Sequence, residues 1–176
     1  MRIRLLALSV AAALMPQLVL AQANPLADAF RADAKDQAKK LIAAAETMPA
    51  DKYSFKPTPA QMSFGDIVAH LAGGNDYFCG TIAGVKAPER TKVDPTAKKE
   101  TLVARLKETF QFCDEALATL DDSKLSEQLP FFGGKMMSRA ALMLVTTGDW
   151  ADHYSQSAIY LRLNGQLPPT AKKPAP

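Results

Sequence analysis

The chain has 176 residues, enough for one domain with a real core and too few for two comfortable ones. Apolar residues make up 48% and charged residues 22%, the ordinary balance of a globular domain. Arg2 and Arg4 supply two of the charges behind the formal +3. They lie in a segment that reads as removable, and without them 19 basic residues (21 − 2) face 18 acidic ones, too even a balance to support nucleic-acid binding.

The first stretch reads as a secretory signal peptide over residues 1–23. Met1-Arg2-Ile3-Arg4 is a basic start, Leu5 to Leu20 an apolar run broken by Pro16 and Gln17, and Ala21-Gln22-Ala23 an A-x-A cleavage site. A membrane anchor is the rival reading, but the apolar run is short and interrupted, and no later stretch approaches a span. Cleavage after Ala23 would leave a mature chain that starts at Asn24 and is periplasmic or secreted. Export gives the two cysteines meaning. Cys79 and Cys113 fall on neighbouring predicted helices, and an oxidising compartment permits a bridge; two separate buried thiols fit the sequence equally well.

Asn24-Pro25 opens the first predicted helix, residues 25–48, as an N-cap followed by proline at the first helical position. Leu26, Phe30, Ala34, Leu41 and Ala45 recur at helical spacing, with lysines and aspartates on the other face. Met48-Pro49-Ala50-Asp51 ends this helix, and Tyr53 to Gln61 is a proline-bearing connector from which Tyr53 and Phe55 are expected to pack onto the bundle.

Ser63-Phe64-Gly65-Asp66 is a capping box that starts the second helix. His70 shares its apolar face with Ile67, Leu71 and Gly74, which predicts that it points inward. Gly73-Gly74 is unfavourable in mid-helix; close approach of another helix, room beside His70 or a kink would each account for it. Val85 to Pro95 reads as a crossover loop, followed by a third helix over residues 96–120 with Leu102, Leu106, Phe110, Cys113 and Leu117 as its stripe.

Residues 121–137 are irregular, with a short hairpin or tight loop around Gly133-Gly134. Phe131, Phe132, Met136 and Met137 there suit a loop folded onto the core, or a surface for an apolar ligand or a homodimer partner. Ser138 caps the fourth predicted helix, which runs to Leu163 and stops at Asn164-Gly165. From Pro169 to Pro176 a Pro- and Lys-rich tail is expected to be disordered. The fold class is therefore all-α, a four-helix bundle over residues 24–168.

The fourth helix carries the chemistry. Asp149 and His153 are four apart, one turn apart on one face. The chain has only 2 histidines, and the other is His70. If the second and fourth helices pack face to face, two imidazoles and a carboxylate converge. That set leaves coordination positions open and suits catalytic zinc or non-haem iron(II). By spacing alone the bland reading comes first: an ordinary helix ion pair and a core histidine. Asp152 is about 100° from His153 and is expected to face outward. No phosphate loop, dinucleotide fingerprint, H-E-x-x-H or nucleophile elbow is present.

Three stretches together resemble the DinB-like family, in its exported branch. They are the connector Met48-Pro49-Ala50-Asp51-Lys52-Tyr53-Ser54-Phe55-Lys56-Pro57-Thr58-Pro59, the helix Ser63 to Ala72 containing His70, and Asp149 to Gln156 continuing through Tyr160-Leu161-Arg162-Leu163-Asn164-Gly165 to Pro168-Pro169. The resemblance implies a four-helix bundle holding a divalent metal (zinc, nickel, iron or manganese) through one histidine on the second helix and an H-x-x-x-H pair on the fourth. His70 and His153 match directly. Asp149 stands where the first histidine of the pair usually stands, so the site persists with a carboxylate ligand or is vestigial. Ser155 replaces the usual glycine before Gln156, which shares a face with His153 and suits a supporting role behind the ligands. Some DinB-like proteins are metal-dependent transferases using low-molecular-weight thiols. The expected activity is thus a metal-dependent hydrolase or a thiol-dependent transferase acting on an unidentified small molecule. A non-catalytic binding module is the alternative.

Overall fold

The computed structural model describes residues 24–171. The expected signal peptide, residues 1–23, lies outside the described residues, as do residues 172–176. The elements are helix α1 (Pro25–Thr47), helix α2 (Phe64–Ala83), helix α3 (Lys99–Leu117), strands β1 (Gln128–Phe131) and β2 (Lys135–Ser138), and helix α4 (Arg139–Leu163), with short 3-10 turns between them. The bundle is all-α apart from the one antiparallel hairpin, in which Leu129 pairs with Met137 and Phe131 with Lys135. Gly133 and Gly134 both take positive φ at its tip, a backbone that glycine adopts without a Cβ penalty. No described helix is long and apolar enough to cross a membrane.

The helices are not packed in chain order. α1 packs against α3 and α4, and so does α2, so α1 and α2 take diagonal positions. The connector between them crosses the end of the bundle. Tyr53 is buried there, donates its hydroxyl to the Ala45 carbonyl at 2.7 Å and meets Phe64 edge-on. Phe55 packs edge-on against Tyr160. The apolar stripes read from the sequence form the core: Phe30 and Leu41 from α1, Ile67 and Leu71 from α2, Leu102 and Leu106 from α3, Leu142 and Leu161 from α4.

Caps explain where helices begin, and one of them corrects the sequence expectation. Ser63 and Asp66 form the predicted reciprocal capping box on α2, and Ser138 accepts from the Ala141 amide on α4. Asn24 makes no side-chain cap on α1. Its place is taken by Asp122, whose two carboxylate oxygens accept from the amides of Leu26 at 3.1 Å and Ala27 at 2.8 Å. Asn24 instead accepts from the Asp122 amide. At the other end of α1, the Lys99 ammonium donates to the carbonyls of Glu46 and Met48, both at 2.7 Å. A carboxylate at the start and a cation at the end both complement the helix dipole. α1 returns the favour to α3: Arg31 donates to the Leu117 carbonyl at its end and to the Leu120 carbonyl just beyond it.

α3 begins at Lys99 and ends at Leu117, three residues inside the expected span at each end. The tail also departs from expectation. Pro169–Ala171 forms a 3-10 turn, and Thr170 engages the Tyr154 hydroxyl through its amide and side chain. Proline fixes φ in this turn and the tyrosine supplies an anchor, so residues 169–171 are ordered where composition suggested disorder. Cys79 and Cys113 form a disulfide between α2 and α3, their Cα atoms 5.1 Å apart and both residues buried.

Candidate metal centre

Two local devices fix the residues of the site. The first turn of α2 is wedged between the connector and the crossover loop. The Gly65 amide donates to the Tyr53 carbonyl at 2.8 Å, and a Cβ at Gly65 would lie 2.3 Å from the Pro95 carbonyl oxygen, so only glycine fits. With the capping box this sets where His70 emerges. On α4, Trp150 is buried beside Asp149, stacks on Phe30 and donates its indole N–H to the Asn75 side-chain oxygen at 2.8 Å. The Asn75 amide in turn donates to the Thr109 hydroxyl at 3.2 Å. This buried chain joins α2, α3 and α4, and it sets the rotation of α4 that turns Asp149 and His153 toward α2.

The three predicted ligands converge. His70 Nε2 lies 3.7 Å and His153 Nε2 3.5 Å from the same Asp149 oxygen, Oδ1. The two imidazole centroids are 4.7 Å apart, and the three candidate ligand atoms all lie within 4.8 Å of one another. Two ligands about 2.1 Å from a tetrahedral ion lie about 3.4 Å apart, so two edges of this triangle are already close to coordination spacing. Burial alone would push the Asp149 carboxyl up, but the His153 and His70 imidazoles beside it outweigh that and hold it well below the usual carboxylate range. The same Asp149 carboxylate raises the His70 pKa against the opposing effect of burial.

The donor set fits a divalent ion. The support behind it is thinner than the usual pattern for a metal-binding histidine, because His153 Nδ1 is buried without a hydrogen-bond partner among the described residues. Gln156 does not supply one. It donates to Asp152 Oδ2 at 2.7 Å on the outer side of α4, and Asp152 is exposed as expected. His70 also corrects its expectation. Its side chain is 48% exposed and does not enter the core. It stands on the wall of a cavity of about 910 Å³ that runs along α2.

That cavity explains Gly73-Gly74. Both glycines line it, and a Cβ at Gly73 would meet nothing within 4 Å. Of the three readings of this pair, open space beside His70 is the one observed. Tyr77, Phe78, Phe131 and Phe132 form its aromatic side. Phe131 and Met137 pack against the core, whereas Phe132 stacks on Tyr77 and stays half exposed, and Met136 is exposed. His70 and Asp149 face the cavity, and His153 closes the site from behind.

Sequence reasoning missed Asn75, whose polar side chain interrupts the apolar face of α2 opposite the one tryptophan; that interruption is the signal that could have found it. It also missed Arg90 and Arg105, which line the cavity from the crossover loop and α3. A loop arginine carries no periodic signal.

Comparison with known proteins follows the geometry. Two solved structures share the fold. A DinB-like protein from Bacillus cereus aligns with a TM-score of 0.68 at 17% identity, covering 81% of this chain and 95% of that one. The DinB-like protein YjoA from Bacillus subtilis aligns with a TM-score of 0.63 at 19% identity, covering 84% of this chain and 95% of its own. No functionally curated protein matches the sequence significantly. The family profile described as the DinB superfamily matches residues 34–157, a span that includes both histidines, Asp149, the whole of α2 and most of α4. This chain belongs to the DinB superfamily.

Proposed function

We propose that this chain is an exported metal-dependent enzyme that acts on a small molecule held in the cavity beside α2, with His70, Asp149 and His153 as the ligands of one divalent ion. One observation carries the reading: the chain's only 2 histidines meet at a single carboxylate on the edge of its largely apolar cavity. When bound, zinc, nickel, iron or manganese would supply Lewis acidity toward a substrate oxygen or sulfur. The chain's own residues do the rest. Asp149 lowers the charge of the site relative to a three-histidine set, so a bound water is less acidified. His70, at the mouth, leaves one side of the site open to the cavity, and the aromatic wall around Tyr77 and Phe132 excludes water from an apolar ligand.

The apolar leader over residues 1–23 and the buried Cys79–Cys113 bridge both support export, since disulfides persist in oxidising compartments. Low-molecular-weight thiols are scarce there, which favours hydrolysis over thiol transfer. A second reading, a vestigial site, draws on two observations: Asp149 already pairs with both histidines, and among the described residues His153 Nδ1 lacks the acceptor that would hold its ring as a ligand.

Metal analysis of the mature protein, purified without chelator or affinity tag, tests the proposal. The expected result is near-stoichiometric metal that is lost in His153→Ala. A metal-free wild type whose melting temperature is unmoved by zinc, nickel, manganese or iron(II) would overturn it. Asp149→His separates the two readings: a large gain in metal affinity from an empty baseline marks a vestigial site, and little change marks a working carboxylate ligand.

A further inference from the structure

The end of the cavity remote from the histidines carries charge that the metal centre does not use. Arg90 donates from Nη1 to Asp76 Oδ1 at 2.7 Å, and its Nε lies 3.9 Å from Glu108 Oε2. Arg105 reaches the same Glu108 oxygen at 3.1 Å through Nε and donates from Nη1 to the Thr91 carbonyl at 2.7 Å. Arg90, Arg105, Asp76 and Lys92 all line the cavity. Arg90 and Arg105 are thus paired with Asp76 and Glu108, and Lys92 adds one positive charge to the cavity lining. Among the described residues neither arginine uses its Nη2 in a hydrogen bond. The Arg90 side chain is only 19% exposed, so a guanidinium edge there is partly desolvated and held in place by Asp76.

Between the two ends the wall is apolar or bare. Asp76 is six residues beyond His70 on α2, a rise of about 9 Å. Gly73 and Gly74 leave the floor between them without side chains, and Tyr77 and Phe132, stacked with centroids 4.5 Å apart, flank it. One surplus positive charge suits a monoanion; a phosphate dianion would have to compete with Asp76 and Glu108 for the same donors.

We propose that the cavity binds a small apolar monocarboxylic acid, with its carboxylate on Arg90 and Arg105 and its body over Gly73 against Tyr77 and Phe132. The opposite end of that ligand then reaches His70 and Asp149, the one point that rests on the metal-centre reading. Arg90 selects the substrate class and Asp76 orients the guanidinium.

The test uses displacement of a neutral fluorescent probe, N-phenylnaphthylamine, from the mature protein. Phenylbutanoate and phenylbutanol share one apolar body and differ in charge. Phenylbutanoate is expected to displace the probe at about tenfold lower concentration, the order of a charge-assisted hydrogen-bond pair. The double variant Asp76→Asn with Arg90→Gln, which removes both charges and leaves no buried carboxylate unpaired, is expected to lower that preference to about threefold or less, the share Arg105 alone supplies, while keeping probe affinity. Gly73→Leu puts a side chain into open space on a helix and is expected to block the probe and both competitors. His153→Ala is expected to leave the acid preference intact, so failure of the metal reading cannot pass for failure of this one. Equal displacement by acid and alcohol, a preference undiminished in the double variant, a probe that binds Gly73→Leu normally, or a probe that does not bind the wild type would each overturn the proposal.

Discussion

Removing the bridge between α2 and α3 has a cost that can be worked from the chain. Cys79 and Cys113 are separated by 34 residues, and closing a loop of that length withdraws about 4 kcal/mol of chain entropy from the unfolded state at room temperature. Both residues are buried among core side chains, so Cys79→Ala with Cys113→Ala adds about 1 kcal/mol of lost packing. Against a total stability of roughly 5–15 kcal/mol, this is a large share. For a domain of this size each kcal/mol moves the melting temperature by about 2–4 °C, so a drop of roughly 10–20 °C is expected. Thermal unfolding followed by far-ultraviolet circular dichroism would measure it, in the double variant and in wild type with and without reductant. Thiol titration of the denatured, unreduced protein should find no free thiol. Two free thiols in that titration, or a shift under about 3 °C once the bond is shown to be reduced, would refute the reasoning.

Two further predictions probe the supports of the site. Asn75→Ala leaves the Trp150 indole N–H buried without its acceptor and should destabilise the protein by about 2–4 kcal/mol, with a changed tryptophan emission; a loss below about 1 kcal/mol would show that the polar chain does not hold α4. The capping box predicts a pH dependence. Hydrogen bonds from the Ser63 hydroxyl and then its amide hold the Asp66 pKa below the usual aspartate value, so the folded state favours the ionised form. That contribution is fully present above the unfolded-state pKa and is lost as pH falls through the lower folded-state pKa. Asp66→Asn should therefore show a flatter acid limb in melting temperature against pH, and an unchanged limb would remove Asp66 from the account.

Much of the fold is written in short-range pattern. Helical periodicity located all four helices, and the Ser63–Asp66 box and the Ser138 cap placed two of their starts, because each involves residues within one turn. The hairpin followed from the glycine pair at its tip. What escaped notice depends on contacts across the bundle. The diagonal placement of α1 and α2 leaves no trace in either helix's stripe, since a stripe says which face is buried and not against what. The Asp122 cap joins residues nearly a hundred positions apart. At the site, spacing gave one turn between Asp149 and His153 but could not bring His70 to them; the family resemblance did that. The same reasoning sent His70 inward because its neighbours are apolar, whereas the missing side chains at Gly73 and Gly74 open a cavity on that face. Gln156 shared a face with His153 by angle, yet a closer partner, Asp152, took its amide.

The exchange of terminal partners between α1 and α3 bears on when the chain can fold. α1 needs Asp122 at its first turn and Lys99 at its last, and its packing neighbours are α3 and α4 rather than α2. A chain emerging N-terminus first therefore presents its first helix with no partner until well past its midpoint. Most of a helix's stability in a protein comes from packing its amphipathic face, and the partners of this face lie in the second half of the chain. The Asp122 carboxylate that caps the first turn of α1 is available only once residue 122 has been made.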